Sequence, residues 1–357
     1  MASNNSRNNK TFFKNFTPLS VKDAPLPGHS LSSSEIIIIS INATGTKLVT
    51  SRTDKTIRIW RCYPDKIDDA LVIEDAHAKA VESISWEPNT EHSFASVGRD
   101  EYVKIWNAHT AQLERQFRVF KGDSNEPTSL KTVRYSSDGL ILITVDRESI
   151  VSFFSVEHNY KKIYELTSIT EPIYDVQWFH YNHSFFILAL HNGNIPIYKL
   201  TTNEKDGITA QVEFKTEFTG HRSSATGIVI DPRGTYFAVG SGEGVVSIWD
   251  TQTMLHTKVI SDIDESIACL DASRDGTYIA ISYDKSQNIA IYDTVSGDRV
   301  FEVPNSESGQ MTFSAIEWFP NKTSFAYSSD QGTVLTVMKK PEKVDRNGRN
   351  GRRNTAR

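Results

Sequence analysis

The feature that most constrains the fold of this chain is a pattern that recurs seven times. In each copy an apolar run alternates with polar residues, a turn follows, and further short apolar runs complete the unit. Alternation with period two is typical of half-buried strands. The closing runs end at Trp60, Trp106, Phe154, Tyr198, Trp249, Tyr292 and Val337, which lie 43 to 51 residues apart. A repeat of this length with four strands per copy predicts an all-β ring of seven blades, a β-propeller.

The repeat also decides the domain organisation, since 357 residues would otherwise suggest two domains. We expect one propeller domain over 17–338, with disordered basic tails over 1–16 and 339–357. The last repeat supplies only its three inner strands. The segment TPLSVKD at 17–23 is therefore predicted to pair with the last blade, which closes the ring and covers its exposed edges.

Composition is typical of a globular protein. The chain is 38% hydrophobic and 23% charged, which distinguishes it from disordered chains. No apolar run reaches the ~18 residues that span a bilayer, and the polar N-terminus lacks the apolar core of a signal peptide, so we expect neither membrane association nor secretion. Two cysteines, Cys62 and Cys269, have no metal-ligand residues at suitable spacing, which favours a reducing compartment.

The second repeat contains four polar residues at the positions where WD-repeat blades carry a buried hydrogen-bonded chain. These are His77, Ser96, Asp100 and Trp106. A complete chain of this kind satisfies buried polar groups and rigidifies its blade. The same residue types could suggest a catalytic Ser–His–Asp set, but the repeat-locked spacing and the tryptophan as fourth member favour a structural role. The ring is thus predicted to be a WD-repeat propeller.

The other repeats carry incomplete versions of this polar chain. Repeats three, four, six and seven lack the full set. Repeat one has Thr50, Asp54 and Trp60 with His29 as a distant histidine, and repeat five has His221 and Trp249 with Glu243 at the acidic position. Because a partial network stabilises its blade less, we expect stability to be uneven around the ring.

Sequence signatures of catalysis or cofactor binding are weak. The glycine-rich segment 240–244 precedes another strand rather than a helix, so we interpret it as a hairpin turn and not as a phosphate loop. His180, His183 and His191 have no carboxylate or thiol at ligand spacing and are interpreted as turn residues. We expect no catalytic, cofactor-binding or metal-binding residues. A propeller enzyme is the less favoured alternative, which carboxylates or histidines converging in the central channel would support.

Basic residues recur at one turn position of the predicted ring. The residue before each acidic position lies in the second hairpin turn, on the face where partners commonly dock in WD-repeat proteins. Arg99, Arg147, His191 and Lys285 stand at this position. A basic patch there could meet an acidic helix of a partner. Scattered, solvated charges are the alternative interpretation.

Charge is distributed unevenly along the chain. The net charge is −5, but residues 1–22 carry +4 and residues 339–357 carry +6, which leaves −15 for the body. The C-terminal tail lacks an apolar pattern and interleaves arginine with glycine and asparagine. Its basic residues are Lys339, Lys340, Lys343, Arg346, Arg349, Arg352, Arg353 and Arg357. Weak sequence-independent RNA contact, a nuclear-import signal and a solubilising role all fit this composition.

Particular stretches of the ring carry a more specific similarity. They read SISWEPN at 83–89, DEYVKIWNAHT at 100–110, IDPRGTYFAVGSGEGVVSIWD at 230–250, DGTYIAISYDKSQNIAIYDTVSGDRVFEV at 275–303 and TFSAIEWFPNKTSFAYSSD at 312–330. These stretches resemble the THO complex subunit 3 family, and the basic tail resembles that of its fungal members. The chain departs from the family pattern at Glu243, where an aspartate is expected.

The resemblance implies a nuclear protein without a catalytic role or a cofactor. The THO (TREX) complex couples transcription to messenger-ribonucleoprotein assembly and nuclear mRNA export. Its third subunit is a propeller held by large helical scaffold subunits, and the assembly recruits a DEAD-box RNA helicase. The expected partners are therefore other THO subunits and, indirectly, the helicase, with weak RNA contact through the tails. The alternative is an adaptor of another nuclear complex, either chromatin-associated or a ubiquitin-ligase substrate receptor.

Overall fold

The fold was analysed from a computed structural model, which describes residues 11–23, 26–27, 34–68, 70–122, 124, 126–180, 182–203, 208–284, 288–304, 314–330 and 332–340. Within these ranges the chain forms 28 strands in seven antiparallel sheets of four strands each. The predicted all-β, seven-bladed propeller is confirmed. No helix in these ranges is long and apolar enough to cross a membrane.

The sheets follow one another along the chain, one for each blade, with a single exception in blade seven. After β1 (Thr17–Lys22), blade one contains β2 (Ile36–Ile41), β3 (Lys47–Arg52), β4 (Ile57–Arg61) and β5 (Leu71–Ile73). Blade two contains β6 (Val81–Trp86), β7 (Ser93–Gly98), β8 (Tyr102–Asn107) and β9 (Gln112–Arg118). Blade three contains β10 (Leu130–Tyr135), β11 (Ile141–Asp146), β12 (Val151–Ser155) and β13 (Lys161–Leu166).

The second half of the ring repeats this order. Blade four contains β14 (Ile173–Trp178), β15 (Phe185–Leu190), β16 (Asn194–Asn203) and β17 (Thr209–Thr219). Blade five contains β18 (Ala225–Ile230), β19 (Tyr236–Ser241), β20 (Val246–Asp250) and β21 (His256–Ile260). Blade six contains β22 (Ile267–Ala272), β23 (Tyr278–Tyr283), β24 (Ala290–Asp293) and β25 (Arg299–Glu302). Blade seven contains β26 (Ile316–Trp318), β27 (Ser324–Ser329), β28 (Val334–Lys339) and β1.

The ring is closed at its centre by the first strand of each blade. The strands β2, β6, β10, β14, β18, β22 and β26 contact their neighbours all the way round. They surround a central channel that contains a cavity of about 550 Å³. Turns between first and second strands, and between third and fourth strands, lie at one end of the blades, which we call the AB end. Turns between second and third strands, and the links between blades, lie at the other end, which we call the BC end.

The hydrophobic core lies between the blades, and the second strand of each blade is the most thoroughly buried. The strands β3, β11, β19, β23 and β27 are buried at every position, because a neighbouring blade covers each face. The outermost strand β9 is exposed or half-buried throughout. This difference explains why a second strand such as β15 (FFILAL) is apolar throughout, whereas the outermost strand β9 (QLERQFR) is mostly polar.

The N-terminal strand closes the last blade, as predicted. β1 pairs antiparallel with β28, from Thr17 opposite Lys339 to Lys22 opposite Val334. The hydroxyls of Ser20 and Thr336 are 2.8 Å apart across this pair. Because the first strand of the chain completes the sheet of the last blade, the ring is held shut by main-chain hydrogen bonds rather than by side-chain packing alone.

Residues N-terminal to the boundary predicted at residues 16 and 17 pack against the propeller. Residues 13–15 form a 3₁₀ turn, and Phe13 and Phe16 are buried. The ring centroid of Phe13 lies 4.9 Å from that of Tyr278 and 6.2 Å from that of Trp318. The prediction of a disordered tail up to residue 16 is therefore wrong for residues 11–16, because these aromatic rings gain a place in the core between blades six and seven. Residues 1–10 and 341–357 lie outside the described residues.

Candidate docking surfaces

In blade two the structure brings the four predicted polar residues together. Nε2 of His77 lies 2.8 Å from Oγ of Ser96, which also accepts a hydrogen bond of 2.8 Å from Nε1 of Trp106. Nδ1 of His77 lies 3.0 Å from the Asp100 carboxylate. Burial by itself raises the pKa of Asp100, but the interaction with His77 and hydrogen bonds from the main-chain N–H groups of Tyr102 and Ala78 outweigh it and lower the pKa overall. Ser96 is fully buried, so its hydroxyl is not accessible to a substrate. The four residues therefore stabilise the blade.

Blade five reaches a similar arrangement with a serine that the sequence pattern did not reveal. Oγ of Ser247 lies 2.9 Å from Nε2 of His221 and accepts a 2.9 Å hydrogen bond from Nε1 of Trp249. Ser247 pairs with Val239 across β19 and β20, and Val239 stands where Ser96 stands in blade two. The hydroxyl has therefore moved to the opposite strand. The sequence does contain a polar residue inside VVSIW at 245–249. A search at the spacing that separates Ser96 from Trp106 does not find it.

The hydrogen-bonded network of blade five lacks a contact with the acidic residue. Glu243 occupies the position of the aspartate and is exposed. Among the described residues, no hydrogen-bond partner lies within reach of the buried Nδ1 of His221. Burial lowers the pKa of His221, and the nearby charge of Glu243 only partly opposes this effect. Blade five thus has a shorter, less connected network than blade two.

In blade one, a serine takes the place of the histidine. Oγ of Ser34 donates a 2.7 Å hydrogen bond to Oδ2 of Asp54, in the role that a histidine fills in blade two. Nε1 of Trp60 donates to Oγ1 of Thr50 at 3.1 Å. His29, the predicted histidine, lies outside the described residues.

The same blade carries a buried ion cluster that fastens the N-terminal strand. The guanidinium groups of Arg52 and Arg58 are fully buried, and both contact the carboxylate of Asp23, directly after β1. Arg58 also pairs with Asp54 at 3.2 Å. Because Asp23 follows a strand of blade seven while its partners belong to blade one, this cluster joins the two ends of the ring.

Two of the predicted docking residues meet at the BC end of blades two and three. Nε of Arg99 pairs with Oε1 of Glu82, and Nη2 of Arg147 lies 3.1 Å from Oε2 of the same carboxylate. His191 lies one blade further on, where its ring stacks on Tyr174 with centroids 5.9 Å apart. Lys285 lies outside the described residues.

Further basic and aromatic groups join these residues around the mouth of the channel. Nζ of Lys131 lies 4.4 Å from the ring centroid of Tyr174, and burial together with the charge of Arg147 lowers its pKa. Arg134 pairs with Asp175 at 3.4 Å. A cavity of about 280 Å³ opens between them. We call Arg99, Lys131, Arg134, Arg147, Tyr174 and His191 the inner-rim patch.

The inner-rim patch is basic although the body of the protein is acidic. Its four Lys and Arg side chains face two carboxylates, those of Glu82 and Asp175. Sequence reasoning missed Lys131, Arg134 and Tyr174, because these residues lie on first strands rather than in the hairpin turn. The patch combines cations, an aromatic ring and a concave mouth, which suits recognition of an acidic protein surface.

Among the described residues, three carboxylates besides that of Glu82 lie in the central channel or at its mouth, which is the feature that would favour an enzyme. Each, however, accepts a main-chain N–H from the next first strand: Asp175 from Ile228 at 3.1 Å, Asp271 from Trp318 at 2.5 Å and Glu317 from Ile41 at 2.9 Å. Burial raises the pKa of Asp271 to about 7 and that of Glu317 well above its ordinary value. These groups therefore act as ties between blades.

The described part of the chain contains no cluster of three or more His, Cys, Asp or Glu side chains arranged to hold a metal ion. His180 and His183 lie in the turn after β14, at the AB end, whereas His191 lies in the turn after β15, at the BC end. The strand β15 separates them, so these histidines do not form one site.

The start of the C-terminal tail lies against the propeller. Lys339 ends β28, and its Nζ donates a 2.8 Å hydrogen bond to the main-chain oxygen of Pro64. Nζ of Lys340 lies 4.7 Å from the ring centroid of Phe12. These two residues are thus partly committed to the fold. The remaining tail candidates lie outside the described residues: Lys343, Arg346, Arg349, Arg352, Arg353 and Arg357.

Comparison with known proteins places this geometry in context. The WD40 family (WD domain, G-beta repeat) matches residues 20–61, 71–107 and 212–250. THO complex subunit 3 of Arabidopsis thaliana is 25% identical over 324 residues, which cover 87% of this chain and 93% of the relative. The chain forms a seven-bladed propeller with three segments that match the WD40 family, and most of its length resembles THO complex subunit 3. Protein TEX1 of Saccharomyces cerevisiae is 21% identical over 88% of this chain and 74% of the relative.

A solved structure supports the propeller fold. The β-propeller domain of Cps50 (Swd1) from Myceliophteria thermophila superimposes with a TM-score of 0.70 at 13% identity, covering 91% of this chain and all of that domain. The three segments that match the WD40 family end in blades one, two and five. These are the blades in which a tryptophan donates to a buried hydroxyl.

Proposed function

We propose that this propeller is a non-catalytic docking subunit of a THO (TREX) complex in the nucleus, where it helps to couple transcription to messenger-ribonucleoprotein assembly and mRNA export. The observation that carries the proposal is the extent of the similarity to THO complex subunit 3, which runs through 87% of this chain and 93% of the relative. By comparison, the match to WD repeat-containing protein AAC3 of Dictyostelium discoideum covers 66% of this chain and 50% of that relative.

Other relatives support a nuclear role in RNA processing. Pre-mRNA-processing factor 17 of Saccharomyces cerevisiae is 25% identical over 57% of this chain, and a probable U3 small nucleolar RNA-associated protein 18 of Schizosaccharomyces pombe is 20% identical over 70%. The proposed mechanism is surface recognition. The rigid ring presents the inner-rim patch to acidic faces of the large helical scaffold subunits, and the helicase is reached only through the assembly.

Affinity purification of the tagged chain from its own organism tests the assignment. We expect other THO subunits to be recovered, and recovery of histone-modifying or cullin-type subunits without them would reject the proposal.

The role of the inner-rim patch is tested by the double variant Arg99→Glu with Arg147→Glu, which should reduce the recovered scaffold subunits by ~10-fold or more. The matched control is Arg118→Glu with Arg299→Glu, since these arginines are also exposed and paired with glutamates but lie on outer strands. Equal recovery by both double variants would remove the patch from the mechanism.

The basic tail is proposed to add weak, sequence-independent RNA contact. Truncation after Lys340 keeps β28 intact and removes six of the eight basic residues of the tail. We expect RNA crosslinking at low salt to fall and the salt dependence of binding to become shallower. Unchanged crosslinking together with loss of nuclear accumulation would assign the tail to import instead.

A second candidate function is suggested by two further relatives. The anaphase-promoting complex subunits cdc20 and cdh1 of Dictyostelium discoideum are 22% and 27% identical over 64% and 52% of this chain. The matches span only 42% and 22% of those relatives, so an adaptor role in a ubiquitin ligase is less favoured. The same purification distinguishes the two assemblies.

A further inference from the structure

A cleft opens between blades four and five at the AB end, on the side of the ring away from the inner-rim patch. Its volume is about 540 Å³, and its walls are mostly apolar. Phe179 and Phe185 border the first turn of blade four, Ile197 comes from the third strand of the same blade, and Met254 comes from the turn after β20 in blade five. No buried polar network described above uses these side chains.

The corresponding cleft between blades two and three has nearly the same volume but different chemistry. Its volume is about 520 Å³, and Glu87 and Glu114 are among its lining residues. Burial raises the pKa of Glu87. The hydroxyl of Tyr160 faces that of Tyr135 at 2.8 Å. An apolar lining is therefore a property of the cleft between blades four and five and does not follow from the propeller geometry.

The backbone conformation at Met254 also indicates that the cleft between blades four and five is specialised. Blades two, five and six share one turn after the third strand, in which the N–H of Ala111, Met254 or Gly297 donates to the carbonyl four residues earlier at 2.8, 2.9 and 2.8 Å. The φ angles at these positions are +57°, +56° and +78°, in the left-handed region that favours glycine. Blade six uses glycine there, whereas blade five holds a methionine under backbone strain. Methionine is flexible and polarisable, which suits a surface that adapts to a partner.

Charge around the cleft is also unusual for this protein. None of the described residues that line it is acidic, although the body of the chain carries a net charge of −15. Its rim contains the exposed Arg233 and Lys215, whose Nζ lies 2.5 Å from the carboxylate of Glu213. Nζ of Lys199 lies 5.8 Å from the ring centroid of Phe185 and adds a third cation. An apolar floor with a basic rim complements an apolar side chain that has acidic neighbours.

We propose that this cleft is a second docking site, which holds an acidic protein segment by an apolar anchor residue. The proposal shares with the proposed function only the premise that the ring is a docking platform. It can succeed or fail whichever complex contains the protein, because it is tested with defined peptides and not by purification.

The test uses the methionine methyl signals, because Met254 lines the cleft and Met338, the other described methionine, is buried between blades six and seven. The full chain is labelled with ¹³C-methyl methionine and titrated with short synthetic peptides. One peptide has Leu-Phe flanked by Asp and Glu, the second replaces Leu-Phe with Ala-Ala, and the third flanks Leu-Phe with Lys. We expect only the first to shift the Met254 signal saturably, while the signal of buried Met338 stays in place.

Variants then locate the binding. Arg233→Glu and Met254→Gly should each weaken the first peptide by ~10-fold or more in fluorescence polarisation. Arg222→Glu reverses an exposed charge at the BC end of the same blade and should leave the affinity unchanged. Ala111→Gly relieves the same backbone strain in blade two and should also leave it unchanged. Glycine relieves the backbone strain at both positions, but Met254→Gly also removes a side chain that packs against the core of blades four and five. The melting temperature of both variants is therefore measured, and Arg233→Glu, which leaves this packing intact, decides the result if Met254→Gly is unfolded at the assay temperature.

Several results would overturn the proposal. It is wrong if the acidic peptide leaves the Met254 signal unmoved, or if Arg233→Glu binds that peptide as well as the wild type does. A shift caused equally by the Lys-flanked peptide, or by a peptide of residues 341–357, would assign the cleft to a basic segment. A shift that appears on concentrating the protein alone would assign it to a second copy of the chain.

Discussion

Blades two and five share a fold, a family match and a closing tryptophan, yet they solve the same burial problem differently. In blade two, Trp106, Ser96, His77 and Asp100 form an unbroken chain of hydrogen bonds. In blade five the serine has moved to the neighbouring strand, and the chain stops at His221. The comparison teaches that the geometry of a blade requires a hydroxyl at one point in space but does not dictate which strand supplies it.

The acidic end shows a stricter requirement. Asp100 is short enough to accept the main-chain N–H groups of Ala78 and Tyr102 while it contacts the imidazole. Glu243 is one methylene longer and lies exposed at the equivalent turn. A hydroxyl can be exchanged between paired strands, but a turn that wraps around a carboxylate depends on the length of the side chain.

The largest expected effect is the loss of a tryptophan. Trp106→Ala should lower the free energy of unfolding by ~3–5 kcal/mol, because it removes a buried aromatic ring and the donor to Ser96. Trp249→Ala should cost less, since Trp249 is only half-buried. Urea unfolding of both variants measures the difference. Unchanged melting of the Trp106 variant combined with loss of partner binding would contradict its structural role.

The next largest loss of stability is expected when the acidic residue of the second hairpin turn is removed. Asp100→Ala should destabilise the protein by ~1–3 kcal/mol, because it leaves the buried imidazole and two main-chain N–H groups without their acceptor. Glu243→Ala should change stability by less than ~0.5 kcal/mol, as expected of an exposed side chain. Equal losses in the two variants would show that blade five has a connection that the hydrogen-bond pattern does not reveal.

A reciprocal exchange of the two acids sharpens the comparison. Glu243→Asp should stabilise the protein by ~0.5–1 kcal/mol if the shorter carboxylate reaches Nδ1 of His221. Asp100→Glu should destabilise it, since the longer side chain cannot keep both main-chain contacts. Chemical denaturation of both variants is the measurement, and a destabilised Glu243→Asp variant would argue against length as the deciding property.

The smallest effect is a change in the pH dependence of stability. The pKa of His221 in the folded state is lowered from 6.5 by burial, so the folded protein takes up its proton less readily than the unfolded chain does. The contribution of His221 is therefore complete above pH 6.5 and is lost as the pH falls towards the folded pKa. His221→Gln should flatten the slope of stability against pH in this window. Glu243→Asp should flatten it too, because a closer carboxylate raises the pKa.

Much of the fold could be predicted from the sequence, because each blade is specified by residues that lie close together in the chain. The spacing between closing residues, the turn residues and the alternation of apolar positions are properties of about forty-five neighbouring residues at a time. The closing strand at 17–23 was also predictable, since the last repeat lacked its fourth strand. The aromatic segment 11–16 was assigned to a tail, because nothing in its composition shows that it packs against Tyr278 and Trp318 of blades six and seven.

The candidate surfaces were only partly predictable. Arg99, Arg147 and His191 follow the second strands of their blades, a position that the offset from the closing residue indicates, but the offset does not show that Glu82 bridges the two arginines. Lys131 and Tyr174 come from different blades and meet only when the ring closes. The cleft at Met254 likewise depends on how blade five packs against blade four.

The sequence by itself therefore determined the number of blades, their strand order and the position of each hairpin turn, since these follow from interactions between residues close together in the chain. The tertiary structure decided that residues 11–16 pack into the core, which hydroxyl completes each buried network, and which charges and apolar side chains share a surface. The physical reason is that these properties are set across the interfaces between blades. There, residues far apart in sequence meet at distances that only the closed ring defines.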